Sequence, residues 1–109
     1  MSKKIEFDYE ENHYTLEYNR EAVKILESKG FRLENFDDKL MTNVPLLLQG
    51  AFIMHHPTIT IGTIEKIYQN IPNKKDFSAQ LYGMVADTYN TLFEEVDEKD
   101  AKKIEWKVV

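Results

Sequence analysis

Residues 44–57, VPLLLQGAFIMHHP, decide the fold. From Val44 to Met54 only Gln49 is polar. Eleven helical residues extend about 16 Å, roughly half the hydrocarbon core of a bilayer. No second apolar stretch lengthens the run, so it does not span a membrane. Leu46, Leu47, Leu48, Ala51, Phe52, Ile53 and Met54 point all round a helix axis, and a helix apolar on every face is covered on every face. The run therefore reads as a central core helix, the lesser alternative being a helix partly covered by a partner protein. Thr42 or Asn43 is expected to cap it, with Pro45 in the first turn, where its missing N–H costs nothing. Pro57 is expected to stop it. Leu48 and Phe52, one turn apart, are expected in its densest packing.

Toward the N-terminus, residues 5–18 alternate. Ile5, Phe7 and Tyr9 share one face and Tyr14, Leu16 and Tyr18 another, with the polar EENH between them, which is the pattern of a β-hairpin. A lone hairpin is marginal in water, so its apolar face must lie on something. Asn19 has the side chain of an N-cap for a helix over 20–29, with Ala22, Val23, Ile25 and Leu26 on its inner side. Gly30 ends that helix in the left-handed C′ position, and Phe31 packs back. RLENFDDKL, 32–40, is a polar connector with room for one helical turn, tethered by Leu33 and Phe36.

Toward the C-terminus, Thr60 caps a helix in which Ile61, Ile64, Ile67, Tyr68 and Ile71 recur at three- and four-residue steps. Pro72 breaks it. Asn73 or Asp76 opens a long final helix striped by Phe77, Leu81, Met84, Val85, Thr88, Leu92 and Phe93. Gly83 in its middle is unfavourable by about 1 kcal/mol relative to alanine, which points to close approach of another backbone. EEVDEKDAKK, residues 94–103, holds eight charges in ten residues and reads as a solvated spacer. KIEWKVV then alternates, with Ile104, Trp106 and Val108 on one face. Two readings compete for this tail. In the favoured one it adds a third strand beside the hairpin, since two strands alone are a weak sheet. In the other it is a free strand that docks on a partner by edge pairing, with Ile104, Trp106 and Val108 as the partner-binding row and Trp106 as anchor. The fold class is α+β: an N-terminal β-hairpin packed on a small bundle of about four helices, with or without the short C-terminal strand. Residues 1–95 form a single globular domain, and 96–109 a charged spacer and amphipathic tail.

Catalytic chemistry has no foothold in the sequence. Adjacent His55 and His56 point about 100° apart on a helix and do not share one metal, and His13 lies in the hairpin turn. At a helix C-terminus the two imidazoles are expected to meet free carbonyls and the negative end of the dipole. Cysteine is absent, so there is no disulfide framework and no thiolate. Asp37 and Asp38 sit in a polar connector, without the burial that separates the pKa values of paired carboxylates. The four glycines form no phosphate-binding pattern, and Ser2, Ser28 and Ser78 lie in no nucleophile elbow. No cofactor and no metal site are expected. With 14 basic against 19 acidic residues and a net charge of −5, the chain offers no bulk basic surface for nucleic acid. The N-terminus lacks the apolar core of a signal peptide. Six of the thirteen aromatic residues are tyrosine, a residue suited to protein contacts, although Tyr14 and Tyr18 are better placed to pack on the helices.

Three strings together carry a resemblance: YTLEYNREAVKILESKGF, DKLMTNVPLLLQGAFIMHHP and KIYQNIPNKKDFSAQLYGMV. Over residues 5–95 the chain resembles the small proteins of about 110 residues from phages and prophages of Gram-positive hosts that are similar to the tail assembly chaperones of long-tailed phages. The resemblance implies a soluble protein of the host cytoplasm, without cofactor or nucleotide, that binds the tape-measure protein, tail-tube subunits or both and keeps their apolar segments from aggregating. Self-association is compatible with that role. Two other classes stay open: a small prophage regulatory protein that binds nucleic acid or a host protein, and an enzyme or enzyme subunit. A local basic patch would favour the first and a pocket of convergent polar groups the second.

Overall fold

Strand β1, Ile5–Tyr9, pairs antiparallel with β2, Asn12–Leu16, with Phe7 opposite Tyr14 and Glu6 opposite Thr15. The computed structural model describes residues 3–109. The connecting residues are Glu10 and Glu11, at φ of 48° and 66°. Two positive φ values in a two-residue loop give the turn whose twist matches the strands, a turn that ordinarily asks for Asn-Gly. Phe7 stacks on Tyr14 with ring centroids 5.5 Å apart, and Tyr14 meets the edge of Phe52 at 6.1 Å. The hairpin thus lies on the central helix, as its marginal stability requires.

Helix α1, Arg20–Ser28, starts where the Asn19 side chain accepts from Ala22 N and buries Ala22, Val23 and Leu26. Ile25 stays on its outer side. Gly30, at φ 99°, turns the chain so that Phe31 packs back into the core. Central helix α2, Leu40–Ile53, buries Leu46, Leu47, Leu48, Ala51 and Phe52. At Gly50 a Cβ would lie 2.5 Å from Leu26 Cδ1, so the missing side chain is what lets α1 nest against α2. Helix α3, Ile61–Gln69, is capped by Thr60 and buries Ile64 and Ile67, while Ile61 is exposed. Helix α4, Lys74–Asn90, buries Leu81, Met84 and Val85. The chain is α+β, a two-stranded hairpin followed by four helices.

Several expectations need correction. Neither Thr42 nor Asn43 caps α2, which begins earlier, at Leu40, after a single 3₁₀ turn over Phe36–Lys39. Pro45 is therefore the sixth residue of α2, and it cannot donate to the carbonyl of Met41. Met41 is 92% exposed, so water reaches that turn. Asn43 is buried and clamps the connector instead: its Nδ2 donates to Phe36 O at 3.0 Å and its Oδ1 accepts from Arg32 N at 3.4 Å. A Cβ on Gly83 would meet nothing within 4 Å, so the close backbone approach expected there is not made; the glycine that is closely packed is Gly50, against the Leu26 side chain. Helix α4 ends at Asn90, and Leu92 and Phe93 leave its stripe in an exposed 3₁₀ turn. The third strand is not formed: among the described residues the sheet has two strands, and residues 94–109 are exposed and outside any helix or strand.

The histidines also differ from expectation. They do not close the end of α2 on itself but reach across to β2. His56 Nε2 accepts from Thr15 N at 3.0 Å, and His55 Nε2 lies 2.8 Å from Glu17 Oε1. Glu17 N donates to Ala51 O at 3.1 Å, a carbonyl in the last turn of α2. Tyr18 Oη donates to Leu47 O at 2.6 Å. In a hairpin with a two-residue turn, alternate residues of each strand face away from the partner. Thr15 N is therefore an outward group of β2, and His56, three residues past the end of α2, supplies its acceptor. On β1 the outward residues are Glu6 and Asp8, and no strand lies beyond them. One edge of the hairpin is sealed and the other is open.

Three outcomes follow from this packing. Phe52→Ala empties the space against Tyr14 and is expected to cost about 3–5 kcal/mol of unfolding free energy by denaturant titration. Replacing Glu10-Glu11 by Asn-Gly relieves two side chains held in the left-handed region, at about 1–2 kcal/mol each, and is expected to raise the melting temperature; an unchanged or lower value contradicts the turn. The third concerns acid. Desolvation first, then His55 and His13 nearby, hold the His56 imidazole below its ordinary value of 6.5, and the neutral ring is the form that accepts from Thr15 N. The unfolded chain binds the proton first, so the contribution of His56 is complete above the unfolded-state pKa and is lost as pH falls through it. Thermal melts of wild type and His56→Gln, both carrying His13, are expected to diverge in slope below about pH 6.5, with the variant the less acid-sensitive. Parallel slopes contradict the assignment.

Candidate functional site

Ile104, Trp106 and Val108 are exposed by 80%, 81% and 89%. The structure brings them to no other element. The spacer before them is organised locally: Asp97 Oδ1 accepts from Lys99 N and Asp100 Oδ1 from Lys102 N, both at 2.9 Å, and Lys103 Nζ pairs with Glu98 at 2.8 Å. These short-range contacts hold the spacer in successive turns. None of its eight charged side chains bonds to a helix among the described residues, consistent with a tether that keeps the apolar row in water. The molecule measures 56 × 32 × 25 Å.

A second surface was not legible as a site. The connector, the start of α2, α3 and α4 enclose an open concavity of about 900 Å³. Its floor is apolar, built from Leu33, Phe36, Leu40, Val44, Tyr68 and Tyr82. Phe36 meets Tyr82 edge-on at 5.1 Å, which fixes both rings. Asp37 and Asp38 stand on one side of the concavity and Lys74 and Lys75 on the other. Lys74 Nζ donates to Gln69 O and Ile71 O at 3.1 and 2.9 Å, closing the end of α3. The signal in the sequence was the apolar set Leu33, Phe36 and Leu40 inside an otherwise polar connector, which reads equally well as a tether.

On the solvent face of the hairpin, His13 Nδ1 lies 2.7 Å from Asp8 Oδ1 and its Nε2 3.2 Å from Glu6 Oε1. The hydrogen bond to Asp8, then that to Glu6, raises the imidazole above its usual value. This triplet is fully solvated, and two carboxylates on one imidazole neutralise charge rather than activate a nucleophile. The Glu17–His55 pair is more enclosed, but each partner is occupied in joining the segment after β2 to the segment after α2. Tyr89 Oη donates to Glu27 Oε2 at 2.6 Å; burial and that carboxylate push the phenol far above its ordinary range. Among the described residues, no group of three or more His, Cys, Asp or Glu is placed to hold a metal ion. No helix among them is long and apolar enough to cross a membrane.

The geometry offers two apolar contact surfaces, one on the tail and one between the helices. No curated protein and no solved structure matches the chain. A family model described as a domain of unknown function, DUF5055, matches residues 1–109. With its full length covered, the chain belongs to the DUF5055 family.

Proposed function

We propose that the protein is a non-enzymatic tail assembly chaperone of a phage or prophage, acting in the host cytoplasm by binding the tape-measure protein, tail-tube subunits or both. The observation that carries the reading is the solvent-exposed row Ile104, Trp106 and Val108 beyond a charged spacer. A chain that gains nothing by exposing its sole tryptophan keeps it covered; here it stands in water on a tether. An extended segment with alternate apolar side chains is the chemistry of strand addition, in which backbone hydrogen bonds supply affinity and alternate side chains supply selectivity. Tryptophan is the favoured anchor of such contacts. The net charge of −5 opposes aggregation of a protein that handles apolar clients. The resemblance of residues 5–95 to tail assembly chaperones points to the same role.

The test is co-purification with a candidate tape-measure protein co-expressed with this chain. Deleting residues 99–109 is expected to leave the melting curve unchanged at concentrations where the full chain is monomeric, and to abolish binding. Trp106→Ala is expected to weaken binding about thirtyfold, the scale of an interface anchor. Failure of the full-length chain to bind overturns the reading. Binding that survives the deletion moves the contact to the concavity floored by Phe36 and Tyr82.

A further inference from the structure

The open edge of β1 and the exposed tail are complementary in pattern. Glu6 and Asp8 turn their backbone groups outward on β1, while Ile5, Phe7 and Tyr9 lie on its inner face and are only partly covered. The tail alternates in the same way, with Ile104, Trp106 and Val108 on one face and Lys103, Glu105 and Lys107 on the other. Within one molecule the two do not pair.

We propose that the tail of one copy, residues 103–109, adds as an antiparallel strand to the open edge of β1 in a second copy, in the register that sets Trp106 opposite Phe7. That register places Ile104 beside Tyr9 and Val108 beside Ile5, which extends the inner apolar face by a third row. On the solvent face it sets Lys107 opposite Glu6 and Lys103 opposite Glu10, two pairs of opposite charge. Glu105 comes opposite Asp8, whose carboxylate lies 2.7 Å from His13 Nδ1. The alternative edge is unavailable, because Thr15 N of β2 is bonded to His56 and Glu17 N, just past β2, to Ala51 O of α2. Reciprocal exchange between two copies fills both open edges and covers both tryptophans, so the contact is self-complementary and closes at a dimer. The pairing involves only copies of this chain, so it stands or falls without the tape-measure protein.

Trp106 is the sole tryptophan and reports directly. Sedimentation equilibrium of the purified full chain, with Trp106 emission followed over the same concentrations, is expected to give a monomer–dimer equilibrium in which emission moves to the blue as dimer forms. Deleting residues 99–109 is expected to leave a monomer. Glu6→Pro removes one outward N–H of β1 and is expected to abolish the dimer while the helical circular dichroism persists. Should that variant unfold, charge exchange decides: Lys107→Glu is expected to weaken the dimer about three- to tenfold, and adding Glu6→Lys to restore it. A full chain that stays monomeric with constant emission overturns the proposal. So does a dimer that survives the deletion, blue emission in a monomer, or a charge pair without rescue.

Discussion

The structure depends on the polar seam between the exit of β2 and the end of α2. The hairpin is too small to hold itself in water, and α2 is too apolar to stand uncovered. Each needs the other, but burying a strand edge against a helix leaves backbone N–H groups without partners, at about 1–3 kcal/mol for each one left unmet. The seam meets them individually. Ala51 O takes Glu17 N, the His56 ring takes Thr15 N, and the Tyr18 hydroxyl finds Leu47 O. The two histidines that end the apolar run are therefore its attachment points. An apolar side chain at position 56 would pack as well and leave Thr15 N orphaned.

The packing of the helices follows from the same economy of space. Gly50 opens α2 to Leu26, and Asn43 holds the connector over its other end. Between them the helix is anchored at three points along its length: connector, α1 and hairpin. Helices α3 and α4 complete the cover with Ile64, Ile67, Leu81, Met84 and Val85. Cover is thinnest where the connector crosses, and there the concavity opens onto Phe36 and Tyr82.

Periodicity made the elements readable. The alternation of residues 5–18, the three-and-four spacing of the isoleucines in α3 and the unbroken run in α2 each admit one solution. Chain-local signals served as well: Asn19, Gly30 and Thr60 act where a cap or a left-handed residue is required. What was not readable is whatever depends on a partner far along the chain. Asn43 carries the side chain of a cap, yet its bonds go to Phe36 and Arg32. Two histidines at a helix end suit its dipole, and nothing in their neighbourhood names Thr15 or Glu17. Gly83 and Gly50 are equivalent in sequence and opposite in surroundings. Of the contact surfaces, the tail row stood out because alternation follows a run of charge. The concavity did not, because its floor is assembled from four segments. The third strand failed as an expectation for a related reason: alternation fixes that a segment suits a sheet and not which molecule supplies the edge.

The seam also sets a timetable. Thr15 waits for His56, and Glu17 for Ala51, so the hairpin cannot be sealed until some forty further residues have been made. At ribosomal rates of about 5–20 residues per second that interval is about 2–8 s. Hairpins form in about 1–10 μs, so β1 and β2 pair and separate many times in that interval, bare on both sides and held by no packing. Residues 3–17, which contain the nascent hairpin, carry five carboxylates against Lys3 and Lys4, a net charge of −3 with His13 neutral. Neighbouring chains on one messenger therefore meet as like-charged strands, and their mutual repulsion protects the half-made fold until α2 arrives.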